Sequence, residues 1–170
     1  MSRDSRQRAY LAAMKRGGIV YPAITLQEAE RAGITLSLAC ALLDQESAGG
    51  RNVWGGDNAP NGGTSDLRWK TVIEGRYKQY KRQRGPEGMG GRQGAGPCQL
   101  TWHTFQDRAD DLGGCWKPEC NMRVGFTDLE AMIDRHGLAE GLEHYNTGST
   151  TTAKGAAYSR SVRLLSLIHI

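Results

Sequence analysis

Three polar clusters could do chemistry, and the first rests on one acid. Glu46 stands just past the apolar run Ile34-Thr-Leu-Ser-Leu-Ala-Cys-Ala-Leu-Leu43 and is followed at once by Ser47-Ala48-Gly49-Gly50. The run reads as a buried helix and the glycine pair as its C-terminal stop. A carboxylate in the last turn of such a helix meets the negative end of the macrodipole. Burial and dipole both push a carboxyl pKa upward, as a general acid working near neutral pH requires. The plain alternative is a solvated glutamate at a helix end, and position alone does not choose between the two.

The second cluster is Gly94-Ala-Gly-Pro-Cys-Gln-Leu-Thr101, a glycine loop that delivers Gln99 just before a helix. The third is His144-Tyr-Asn-Thr-Gly148, a polar aromatic turn at a helix end, followed by Tyr158 and Val162. Gln99 either contacts a ligand or caps the next helix. Tyr145 either lines a site or belongs to the core, where a buried phenol must find a partner. Ser47 reads as a brace of its turn rather than a nucleophile, because no Ser-His-Asp pattern surrounds it. Trp54, Trp69, Trp102 and Trp116 could each stack on a ligand ring. At least two read as core, and Trp54 is the one assigned to a site. His103 and His136 lack ligand partners at metal spacing and read as structural. Cys115 and Cys120 match no zinc pattern well and read first as free thiols, then as a local disulfide, then as metal ligands. No cofactor is implied.

In order and spacing the three clusters resemble the lysozyme-like superfamily of goose-type lysozymes and soluble lytic transglycosylases. There Glu-Ser is followed by Gly-x-x-Gln-Leu or Gly-Leu-Met-Gln, then by Tyr-Asn-x-Gly and a further Tyr. The resemblance spans about residues 20–163. It is closest to the lysozyme-like domains of endolysins and tail lysins of phages infecting actinobacteria, through Glu46-Ser-Ala-Gly-Gly-Arg-Asn-Val-Trp-Gly-Gly-Asp57 and Gly94-Ala-Gly-Pro-Cys-Gln-Leu-Thr-Trp102. Cys98 stands where the wider pattern prefers methionine, and Ala48 where many transglycosylases carry a bulkier residue.

The resemblance implies a helical domain with an active-site cleft and cleavage of the β-1,4 bond between N-acetylmuramic acid and N-acetylglucosamine. Glu46 would be the proton donor. A hydrolase also needs a second carboxylate, roughly 6.5–9.5 Å away in an inverting enzyme. Asp57 is the first choice and Asp66 the second. Their plain alternatives are an Asx-turn in a glycine-rich loop and an acid at a helix start. Asp44, about 200° around the helix from Glu46, faces elsewhere. Ser47, Trp54, Gln99, Tyr145 and Asn146 would bind substrate. The implied partner is the peptidoglycan glycan strand, met by a monomer made in a host bacterial cytoplasm and released at lysis, or carried in the virion. The nearest rival is a lytic transglycosylase, which needs no second carboxylate. From other classes come a non-catalytic wall-binding module and a nucleic-acid binder built on Arg76-Tyr-Lys-Gln-Tyr-Lys-Arg-Gln-Arg84. That stretch reads first as a solvated helix face, and no nucleic-acid partner is expected.

The elements that must hold these groups are mostly helices, so the class is mainly α (α+β in the lysozyme-like sense), with at most a small hairpin near 50–64. Helices are expected over 4–16, over 26–32 from a Thr25/Glu28 capping box, from Thr35 or Ile34 to Glu46, and over 66–83 from a Ser65 cap. Others follow from Thr101 to Leu112, over 121–136, and around 138–145 and 153–168. Residues 85–96, with six glycines, read as open loop. One domain, 1–170, is expected, with 164–170 either the buried face of a last helix or a truncated or non-native tail. The 170 residues, 38% apolar and 24% charged, suit one globular core. A net charge of +4 favours anionic partners. No bilayer span and no signal peptide are read.

Overall fold

The computed structural model describes residues 2–55, 74–86, 88 and 92–168. Eight helices lie among them: α1 (Arg3–Arg16), α2 (Pro22–Ala32), α3 (Leu36–Ser47), α4 (Glu74–Arg84), α5 (His103–Asp111), α6 (Pro118–His136), α7 (Leu138–Thr147) and α8 (Ala153–Ser166). The mainly helical class is therefore as expected. None of the described helices is long and apolar enough to cross a membrane.

α3 is the central element. Thr35 caps it by accepting from the Leu38 N–H at 3.3 Å. Leu38, Ala39, Cys40, Ala41, Leu42 and Leu43 are all buried, so the helix is covered on every side, as its unbroken apolar run requires. α2 and α8 pack on it. α6 is the second core helix and packs on α2, α5 and α7, burying Met122, Val124, Phe126 and Leu129. Each fully buried leucine or phenylalanine contributes about 1.5–3 kcal/mol. α1 adds less, with Met14 its one buried residue.

Several local expectations are corrected. Thr25 and Glu28 form no capping box, because Pro22 at the first helical position opens α2 a turn earlier. Thr25 lies inside α2 and donates to the Tyr21 carbonyl at 2.9 Å. Glu28, 1% exposed, instead takes a two-pronged bond from Arg123 of α6 at 3.0 Å on each oxygen. Pro118 opens α6 ahead of residue 121 for the same reason. Ser65 and the first part of the expected 66–83 helix lie outside the described residues.

Most of the hairpin expected near 50–64 lies outside the described residues. Trp54 bridges Ala95, and Ala95 bridges Leu100, so the pairing joins the 53–55 segment to the glycine loop. Of the described part of the final apolar run, Leu165 packs against the core and the other apolar residues turn outward. Leu164, Leu167 and Ile168 are 57%, 82% and 77% exposed.

The basic stretch 76–84 is only partly a solvated face. Lys81 bonds Asp107 and Asp110 at 2.9 and 2.5 Å, and Arg84, almost fully buried, bonds Asp107 at 2.8 Å. Tyr77 and Tyr80 are buried, so neither can stack on a base. All four cysteines are thiols. Burial pushes Cys40 and Cys115 up to about 12, which keeps both protonated and poor as metal ligands.

Candidate functional site

Glu46 occupies the last turn of α3, and that turn is fastened from three directions. Its reversal begins one residue before the glycine pair, at Ala48, whose φ is 52°. The Ala48 N–H donates to the Asp44 carbonyl at 3.0 Å and the Gly49 N–H to the Leu43 carbonyl at 2.9 Å. Gly49 then presses on the α1–α2 connection. Its carbonyl accepts from the Val20 N–H at 2.9 Å, and a Cβ on it would lie 2.5 Å from the Gly18 carbonyl oxygen. Ser47 ties the turn to the glycine loop. Its hydroxyl donates to the Pro97 carbonyl at 2.7 Å and accepts from the Gly50 N–H at 3.0 Å. From α8, the Tyr158 hydroxyl donates to Glu46 Oε1, and Ser161 donates to Gln45 at 2.6 Å.

The glycine loop is a tight turn over residues 96–99, closed by the paired amides and carbonyls of Ala95 and Leu100 at 3.2 and 3.0 Å. Gln99 carries it through a left-handed φ of 47°. Ala48 and Gln99 are the two non-glycine residues with positive φ among those described, and both border this site. Such conformations cost an L-residue about 1–2 kcal/mol and gather where geometry is functional. The Gln99 amide donates to the Asn52 and Gly96 carbonyls at 3.2 and 2.9 Å.

Buried side chains from neighbouring helices hold the loop. Asn121 of α6 accepts from the Cys98 N–H at 2.8 Å and donates to the Ala95 carbonyl at 2.8 Å and the Cys115 carbonyl at 3.2 Å. Gln106 of α5 donates to the Gln93 and Leu100 carbonyls, both at 2.8 Å. Gly125, inside α6, leaves room for Cys98, whose Cβ would stand 2.6 Å from any Cβ added there.

A cavity of about 1050 Å³ opens between these elements. It brings together Glu46, Trp54, Gln99, Tyr145 and Asn146 from the expected set. Ser47 does not line it; the residue is 1% exposed and spends its hydroxyl on backbone. Asp57 and Asp66 lie outside the described residues, although Gly55, two residues before Asp57, lines the cavity. Trp54 is 6% exposed and packs edge-to-face on Tyr80 at 5.8 Å, so it belongs chiefly to the core. The tryptophan more open to the cavity is Trp102, 51% exposed.

Tyr145 donates to the Cys98 carbonyl at 3.5 Å. Burial, and then the nearby charges, hold the Tyr145 and Tyr158 phenols well above the usual tyrosine range, so both act as neutral donors. The Asn146 amide oxygen is buried without a hydrogen-bond partner among the described residues, an uncommon state for a polar atom. Asn52, Arg92, Trp102, Lys154 and the Glu46-holding role of Tyr158 were missed by sequence reasoning. Asn52, Trp102 and Tyr158 sat within or beside the motifs; nothing local marked Arg92 or Lys154. Among the described residues no group of three His, Cys, Asp or Glu side chains could hold a metal. Compared with protein-family models, curated proteins and solved structures, the chain matches none.

Proposed function

We propose that this cavity is the active site of a peptidoglycan glycosidase of lysozyme-like type, cleaving the β-1,4 bond between N-acetylmuramic acid and N-acetylglucosamine with Glu46 as general acid. The observation that carries the reading is the setting of Glu46. It is a cavity-lining carboxyl at a helix end, held by a neutral phenol and faced by a glutamine loop and a Tyr-Asn turn. Breaking a glycosidic bond requires a proton on the leaving oxygen, and a fixed carboxyl delivers it. Gln99 and Asn146 supply polar contacts for hydroxyl and N-acetyl groups, and Trp102 an exposed apolar face.

A second reading has its own support. Glu46 is the one carboxylate lining the cavity among the described residues. A lytic transglycosylase needs no other, since the muramoyl 6-hydroxyl attacks and a 1,6-anhydro product forms. In the hydrolase reading Asp57 or Asp66 supplies the second carboxylate. Glu46→Gln is expected to lower lysis of purified walls about a hundredfold or more. Undiminished lysis would remove Glu46 from the chemistry, and wall binding without any released sugar in the wild type would favour a non-catalytic module. Mass spectrometry of the released muropeptides separates the two enzymes, because anhydromuramoyl ends exclude hydrolysis.

A further inference from the structure

Two cations line the cavity beside Glu46, and the glycosidase reading gives neither of them work. Arg92 holds its guanidinium carbon 4.7 Å from the centre of the Trp102 ring. Lys154, in the first turn of α8, lines the same cavity. Both are exposed, and among the described residues neither forms an ion pair, whereas Lys81, Arg84, Arg108 and Arg123 all do. With Glu46 the one described acid on the lining, the described wall carries two cations beside a single carboxyl.

The Arg92–Trp102 pair has a specific chemical use. Stacking on an indole fixes the plane of a guanidinium while leaving its N–H fork open, and that fork matches a carboxylate. Lys154 adds a mobile point charge near a helix N-terminus, where the macrodipole also favours an anion. A cavity meant for a neutral sugar chain needs neither feature.

We infer that Arg92, set on Trp102, and Lys154 make this cavity selective for a glycan that carries carboxylates over a neutral one of the same backbone. On a muramoyl chain those carboxylates are the lactyl groups or the acidic ends of attached peptides. The inference rests on the glycosidase reading only in taking the ligand to be a sugar chain.

The test is binding by Glu46→Gln protein, so that no ligand is cut, measured calorimetrically. The probes are a muramic acid-containing tetrasaccharide with free lactyl carboxylates, the same compound with those groups amidated, and a neutral N-acetylglucosamine tetramer. The acidic compound is expected to bind tightest, with a preference that shrinks as salt rises. Arg92→Gln and Lys154→Gln should each weaken it roughly two- to fivefold, the range for exposed charge pairs, and leave the neutral tetramer unchanged. Equal binding of all three probes would overturn the inference, as would a preference that survives the double substitution, or binding of none. Wall lysis by the wild type, scored separately, tells failure of the glycosidase reading from failure of this one.

Discussion

Replacing Gly96 by alanine asks two things of the glycine loop at once. The φ of Gly96 is 76°, and a left-handed backbone costs an L-residue about 1–2 kcal/mol. The added Cβ would lie 2.7 Å from Asn121 Oδ1 and closer still to Nδ2. That amide cannot swing aside, because the Cys98 N–H and the Ala95 and Cys115 carbonyls pin it. Forced overpacking adds about 1–3 kcal/mol. The expected loss is therefore about 2–5 kcal/mol, a large share of the roughly 5–15 kcal/mol that holds a domain together. Equilibrium urea denaturation measures it. Asn121→Ala alone leaves the buried Cys98 N–H without its acceptor, at about 1–3 kcal/mol, while the Ala95 carbonyl keeps its bond from the Leu100 N–H. In the double variant the collision is gone, so the two losses should fall short of additivity by about 1–3 kcal/mol, the overpacking share. A Gly96→Ala loss below about 1 kcal/mol, or strict additivity, would refute the reasoning.

Two further outcomes follow from the buried groups. Glu28→Ala leaves Arg123 without its two-pronged acceptor. Because Arg123 stays 31% exposed, the loss should be about 2–3 kcal/mol rather than the full cost of a sealed ion pair. A midpoint unchanged in denaturant would show that the α2–α6 pair contributes nothing. Four of the six tyrosines, Tyr77, Tyr80, Tyr145 and Tyr158, have phenols raised chiefly by burial. A folded-state pKa above the unfolded one means that their contribution to stability is complete below the unfolded value of about 10 and is lost as pH rises toward the folded one. Stability should fall steeply above that pH, and these four should ionise only as the protein unfolds. Phenolate absorbance showing all six titrating together while the fold persists would contradict this.

What the sequence made legible was mostly local. Gly33, Gly137 and Gly148 stop helices where a residue with positive φ is needed, and Thr35 caps α3, because each depends on a few adjacent residues. The Thr25-x-x-Glu28 pattern misled because the capping spacing is met by two residues that the tertiary fold buries, one against Met122 and one against Arg123. Trp54 and Trp102 are the same residue type in neighbouring motifs, and only packing on Tyr80 decides which one faces inward. Glu46 was found by its place at the end of an apolar run. Its partner Tyr158 lies 112 residues on, beyond the reach of any periodicity. Asn121 and Gln106 read as ordinary polar helix residues because their acceptors are loop carbonyls, which no side-chain pattern reveals.

The braces around Glu46 also set when its surroundings can exist. Ser47 reaches a carbonyl 50 residues away, Tyr158 arrives from 112 residues away and Ser161 from 116. α3 is local structure and can form early, but a chain that has emerged only as far as α7 carries Glu46 without the hydroxyl that holds it. Long loops must close before the acid is set, and such contacts come late and slowly. The setting of this acid is therefore a readout of completed folding: the central helix alone, or a partly built chain, has the glutamate but not the site.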